Sequence, residues 1–111
     1  MIDSFFWIKY YEVKNMQISI ETLISKNKFN TINIIDIRNS ELYSKGHIIN
    51  AKNIPEYLLI DHPEQYLNKK ETYYIYCQTG TTSRKVVNIL NTRGYHVFDI
   101  IGGYKNYLLW K

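Results

Sequence analysis

The chain is poor in the residues that build the simplest recognisable sites: one cysteine, two prolines, five glycines and three histidines in 111 residues. A single cysteine excludes an internal disulfide framework, a Cys-x-x-Cys redox pair and a zinc knuckle, and His47, His62 and His96 are too scattered to ligate one ion. No metal and no cofactor is expected, and a reducing, cytoplasmic setting fits best. Long apolar runs are also lacking. Phe5-Phe6-Trp7-Ile8 is far short of the roughly 20 apolar residues of a spanning helix, and Asp3 and Lys9 flank it. Nothing resembles a cleavable signal with a small-residue cleavage site. The formal charge of +4 arises from 14 basic and 10 acidic residues interleaved along the chain, so no basic block marks nucleic acid as a partner. Eleven tyrosines fall mostly at periodic apolar positions or beside strands, where a half-buried ring is the commoner use than base stacking. With 45% hydrophobic residues, the chain suits one domain with a real core, and a monomer is the plain expectation.

What the chain does have is a cysteine in a particular place. Cys77 ends the hydrophobic strand Thr72-Tyr73-Tyr74-Ile75-Tyr76 and begins a short polar loop, Gln78-Thr79-Gly80-Thr81-Thr82, that runs into a helix expected to open at Ser83. A loop of small residues lets its backbone N–H groups curl around one point, and Gly80 permits a turn that a Cβ would oppose. The helix dipole and the cations Arg84 and Lys85 add positive potential there. All of these favour thiolate over thiol, the form in which cysteine is a nucleophile.

Around this site the chain alternates. Ser19 is placed to cap a short helix over Ile20–Ile24. Ile32 to Ile37 is a β-branched run of strand length. Ser40 to Lys45 reads as a short helix closed by Gly46. Pro55 forces Ile54 to be extended, a helix follows near Glu56 to Ile60, and Asp61-His62-Pro63 reads as a turn. After the helix from Ser83 to Arg93, Tyr95 to Ile101 supplies a strand, Gly102-Gly103 a turn and Tyr104 to Trp110 a final helix. Strands alternating with helices favour an α/β fold: a small, mainly parallel sheet covered by helices on both faces. In such sheets ligands bind beyond the carboxyl ends of the strands, where Cys77 lies at one end and Asp36 and Arg38 at another. Residues 1–15 form an aromatic extension, read as extra packing, ahead of a domain spanning 16–111.

Five blocks together resemble the single-domain rhodanese-like (thiosulfate sulfurtransferase) family: Asp36-Ile37-Arg38, Tyr43 to Ile48, Ala51 to Pro55, Tyr76 to Gly80 with Ser83, and Gly94-Tyr95 with Gly102-Gly103. The resemblance runs from about Met16 to Trp110. It implies a sulfurtransferase in which Cys77 takes a sulfane sulfur from thiosulfate or a persulfide-bearing protein, and passes it to a thiol or cyanide. It also implies a substrate-binding loop formed by Gln78, Thr79, Gly80, Thr81, Thr82 and Ser83 with Arg84 nearby, bracing hydrogen bonds from Asp36, and a structural ion pair for Arg38.

The chain departs from the family pattern at several positions. Many members carry arginine where Thr82 stands; here Arg84 lies two residues later, which leaves thiosulfate itself open as a donor. Leu42 replaces a frequent glutamate, so that Arg38 is expected to pair differently or to face solvent. Tyr107 stands where tryptophan is frequent, and His47 reads as a turn or packing residue. Two other classes remain open. Related cysteine-dependent phosphatases and arsenate reductases use a Cys-x5-Arg loop, and position 83 here is serine. A non-catalytic binding module of the same fold is the other.

Overall fold

The computed structural model describes residues 15–25 and 31–111. The aromatic segment at the start of the chain lies outside them. Among the described residues the strands are β1 (Gln17–Ile18), β2 (Asn33–Asp36), β3 (Lys52–Asn53), β4 (Thr72–Tyr76) and β5 (His96–Ile100). The helices are α1 (Ile20–Ser25), α2 (Ser40–Lys45), α3 (Glu56–Asp61), α4 (Pro63–Tyr66), α5 (Thr81–Thr92) and α6 (Gly103–Trp110). The strands form one sheet in the order β1-β5-β4-β2-β3, and every pairing is parallel. Among the described residues no helix is long and apolar enough to cross a membrane.

Alternation along the central strands explains the layers. Ile35 and Ile75 point to one face, where Val86, Val87 and Leu90 of α5 and Leu59 of α3 cover them. Ile34 and Tyr76 point to the other, where Ile20 and Leu23 of α1 and Tyr107 of α6 close the second cluster. A sheet buried on both sides needs apolar residues in both phases, which is why β2 and β4 read as nearly continuous hydrophobic runs. Tyr73, Tyr76, Tyr95 and Tyr107 are buried, whereas Tyr57 is exposed.

Several elements differ from the sequence reading, and four of the differences have a clear physical origin. Helix α5 opens at Thr81, not Ser83, because Gly80 at φ +101° turns the chain sharply enough to make Thr81 and Thr82 helical already; tertiary closure overrides the weak helix propensity of two threonines. Helix α6 likewise begins at Gly103. The turn expected at Asp61 to Pro63 continues into α4, with Pro63 at its first position, where a missing N–H costs nothing. Strand β1 was not anticipated: two residues carry no periodicity, and it exists through pairing with β5 at Gln17↔Asp99 and Ile18↔Ile100. Ser19 does cap α1, its Oγ accepting from the Thr22 N–H at 3.0 Å.

Candidate active site

Parallel pairing brings the carboxyl ends of β2, β4 and β5 side by side, with Asp36 opposite Tyr76 and Asp99 opposite Ile75. Cys77 follows the middle strand and is buried. Two of the six amides expected to form an anion cradle point at its sulfur. The Gly80 N–H donates to Sγ at 3.1 Å and the Ser83 N–H at 3.3 Å, the first from the N-cap and the second from the first turn of the twelve-residue helix α5. Helix α6 holds the start of the loop from behind: the Cys77 carbonyl accepts from the Tyr104 N–H at 2.9 Å and the Gln78 carbonyl from the Lys105 N–H at 3.0 Å. Helix α6 therefore presses its own first turn onto the back of the loop. Gly103, at φ +60°, allows this approach, since a Cβ there would overlap the Cys77 carbonyl oxygen.

Gln78, Thr79, Thr81 and Arg84 are exposed, Thr82 is half-buried and Ser83 is fully buried. A cleft of about 560 Å³ beside the loop is lined by Thr79, Gly80, Thr81, Arg84, Lys85 and Gly102, among others. Of the cations expected near the sulfur, Arg84 and Lys85 line this cleft and are exposed on α5.

Asp36 and Arg38 are joined to each other and to the loop. Arg38 reaches the Asp36 carboxylate through Nε at 3.1 Å and Nη2 at 2.8 Å, the Gly46 carbonyl through Nη2 at 2.6 Å and the Gln78 Oε1 through Nη1 at 3.0 Å. Its guanidinium lies 4.2 Å from the centroid of the Tyr104 ring. The solvent-facing alternative for Arg38 is corrected: the side chain is 4% exposed and its carboxylate partner fully buried. Burial opposes the charge on Arg38, yet hydrogen bonding and attraction by Asp36 hold its pKa above the ordinary arginine value. Burial, followed by a hydrogen bond with Asp36, likewise keeps the Tyr76 hydroxyl protonated well beyond the usual tyrosine range. Tyr76 then serves as an acceptor for the Ile48 N–H at 3.0 Å. His47 stands apart from the sulfur's hydrogen-bond partners, stacked on Tyr43 at 3.8 Å between ring centroids with Nδ1 2.8 Å from the Tyr43 carbonyl oxygen.

One residue at the site was not singled out from the sequence. Asp99 is 1% exposed on β5, and its Oδ1 accepts a very short hydrogen bond from Ser83 Oγ. The available signal was its phase: Asp99 shares the alternation of buried Tyr95 and Val97, where a carboxylate is costly unless it has a task. Burial raises its pKa from 3.8 to about 6, against lowering contributions from Ser83, Gln17 and Arg84. A carboxyl raised in the folded state binds its proton more tightly there, so its stabilising contribution is complete below about pH 4 and is lost as pH rises through about 6. Asp99→Asn removes that loss. Its stability relative to wild type is expected to improve by about 2 kcal/mol between pH 4 and pH 8 in urea unfolding, and a pH-independent difference would contradict the assignment.

Known proteins are similar to this chain over most of its length. The family model for the rhodanese-like domain matches residues 19–109. A thiosulfate sulfurtransferase, GlpE, of Coxiella burnetii is 30% identical over 79 residues, 70% of each chain. A tRNA sulfurtransferase of Thermoplasma acidophilum is 30% identical over 96 residues, 85% of this chain and 19% of that one. Among solved structures, a rhodanese-like domain protein from Staphylococcus aureus superposes with a TM-score of 0.72 at 35% identity, covering 82% of this chain and 89% of that one. A parallel sheet that delivers its one cysteine into an amide-lined loop, matched over most of its length by these relatives, makes this chain a member of the rhodanese-like domain family.

Proposed function

We propose that the protein is a sulfurtransferase that carries a sulfane sulfur as a persulfide on Cys77. The observation that carries this reading is the pair of backbone N–H groups, Gly80 and Ser83, directed at a buried Sγ. Preorganised amides in a site screened from water stabilise negative charge on sulfur at no reorganisation cost. In the first half-reaction the Cys77 thiolate attacks the outer sulfur of the donor. A new S–S bond forms as the donor's own bond to that sulfur breaks, and the leaving group, sulfite or a thiolate, departs with the electron pair. In the second, a thiolate or cyanide acceptor attacks the outer sulfur of the persulfide and Cys77 leaves as thiolate. Thr79, Thr81, Thr82 and Arg84 border the path of donor and acceptor, with Gln78 held against Arg38. Asp36 and Arg38 support the loop. We place this chemistry in a reducing, cytoplasmic compartment and in a monomer. The names of the relatives, thiosulfate sulfurtransferase and tRNA sulfurtransferase, accord with sulfur transfer.

The loop lacks an arginine among its own residues, and Arg84 is exposed on α5, where its charge is screened by solvent and salt. A persulfide donor is therefore expected to react with roughly tenfold higher kcat/KM than thiosulfate, because it depends less on a fixed cation. Steady-state assays with thiosulfate, a small-molecule persulfide and an aryl phosphate decide the matter. Parallel-line kinetics with either sulfur donor support the reading. Hydrolysis of the aryl phosphate, with neither sulfur donor turned over, would replace it by the phosphatase reading, and inactivity towards all three would leave a binding module.

A further inference from the structure

The Cys77 thiol has a second line of contact, towards β5. Its S–H is placed to donate to Ser83 Oγ at 3.3 Å, and the Ser83 hydroxyl donates in turn to Asp99 Oδ1. The Gly80 carbonyl, 3.3 Å from Ser83 Oγ, is the weaker claimant for that hydroxyl proton. All three side chains are buried, and Asp99 Oδ2 has no hydrogen-bond partner. A thiol, a hydroxyl and a half-satisfied carboxylate in series form a path along which one proton can move. We propose that Asp99, acting through Ser83, is the proton partner of Cys77, and that the pair shares one proton across neutral pH.

The transfer balances without any further reactant. The S–H bond breaks and its proton goes to Ser83 Oγ, while the Ser83 hydroxyl proton goes to Asp99 Oδ1. No group is oxidised or reduced and the net charge of the set is unchanged. Afterwards the chain runs in reverse: the Asp99 carboxyl donates to Ser83 and the Ser83 hydroxyl donates to the thiolate, a third donor beside the Gly80 and Ser83 amides. Asp99 does not touch the reacting sulfur and is thus a positioning residue.

The surroundings leave the proton few other destinations. Gln17 faces Asp99 from β1 as a neutral amide that helps hold the carboxylate charge, and Ile75 faces it from β4. From α5 come Ser83 and Arg84, and Lys85 shares the adjoining cleft. Among the described residues Arg84 supplies the charge that lowers the Asp99 pKa, and burial outweighs it.

A shared proton has a kinetic signature. An isolated thiol becomes roughly tenfold more reactive for each pH unit below its own ionisation. A thiol whose proton is held by an internal carboxylate presents a thiolate fraction fixed by that carboxylate, so its reactivity is flat until the pair gives up its last proton. The inference rests on Cys77 being the nucleophile and adds where its proton goes. Its test is the rate of Cys77 alkylation by iodoacetamide, followed by intact mass from about pH 6.5 to pH 8.5. The wild-type rate is expected to change by less than about threefold over that range, whereas Asp99→Asn, with no internal carboxylate to hold the proton, rises with pH and overtakes wild type. A wild-type rate that climbs in proportion to hydroxide would overturn the proposal without any variant, as would parallel profiles for the two proteins. Alkylation needs no sulfur donor, so persulfide loading of the same samples separates the two ideas. Loading without a flat profile sinks the shared proton alone, and a flat profile without loading sinks sulfur transfer alone.

Discussion

Cys77→Ser is expected to abolish sulfur loading and to lower turnover with either sulfur donor at least about a thousandfold, with the fold unchanged. The loop holds its sulfur with two amides at 3.1 and 3.3 Å, an arrangement whose value lies in stabilising an anion. A serine hydroxyl stays protonated at neutral pH, and its oxygen cannot form the S–S bond that carries the sulfane sulfur. The substitution is close to isosteric, so urea unfolding should shift by no more than about 1 kcal/mol. Retained turnover in the serine variant would remove Cys77 from the mechanism.

Arg38→Ala carries the second large effect, on stability. Arg38 fastens four parts of the site: the Asp36 carboxylate at the end of β2, the Gly46 carbonyl after α2, Gln78 in the cysteine loop and the Tyr104 ring on α6. Removing it leaves the Asp36 charge in a fully buried position with only the Arg38 backbone N–H and Tyr76 beside it. Breaking a buried pair from one side costs about 3 to 5 kcal/mol, a large share of the 5 to 15 kcal/mol total of a domain this size. Removing both charges, as in Asp36→Asn with Arg38→Met, is expected to cost less than the single change, because no orphaned charge remains. Arg38→Lys should recover only part of the loss, since an ammonium cannot reproduce the planar fork that serves three acceptors. Urea unfolding of these variants measures the ordering. A cost below about 1 kcal/mol for Arg38→Ala would reduce the pair to the energetics of a surface contact.

The legible and the illegible parts of the chain separate along physical lines. Strands β2 and β4 were readable because both faces are buried and the sequence is apolar in both phases. Helix α2 was readable from its end, with Gly46 closing the last turn, and the structure adds a cap at its start, where Asn39 Oδ1 accepts the Leu42 N–H. The cysteine loop could be located from its place between a strand and a helix, but its anchoring to α6 through the Cys77 and Gln78 carbonyls joins residues about 27 positions apart and leaves no local pattern. The pairing of Arg38 with Asp36 is local in sequence, and the departure at Leu42 hid it: a missing family partner suggested a solvent-facing side chain when the carboxylate two residues earlier was within reach. Asp99 was passed over because one acid in a strand looks like an edge or a turn until the neighbouring strands are known. Strand β1 lies beyond sequence reasoning for the same reason, having no existence apart from β5.

Intact-protein mass spectrometry after incubation with thiosulfate or a small-molecule persulfide, with Cys77→Ser as control, tests sulfur transfer most directly. The expected result is a gain of one sulfur atom on the wild-type protein alone, with the persulfide the better donor, lost again on adding cyanide. A wild-type protein that gains no sulfur from either donor, or a serine variant that gains it equally, would contradict a Cys77 persulfide and with it the proposed function.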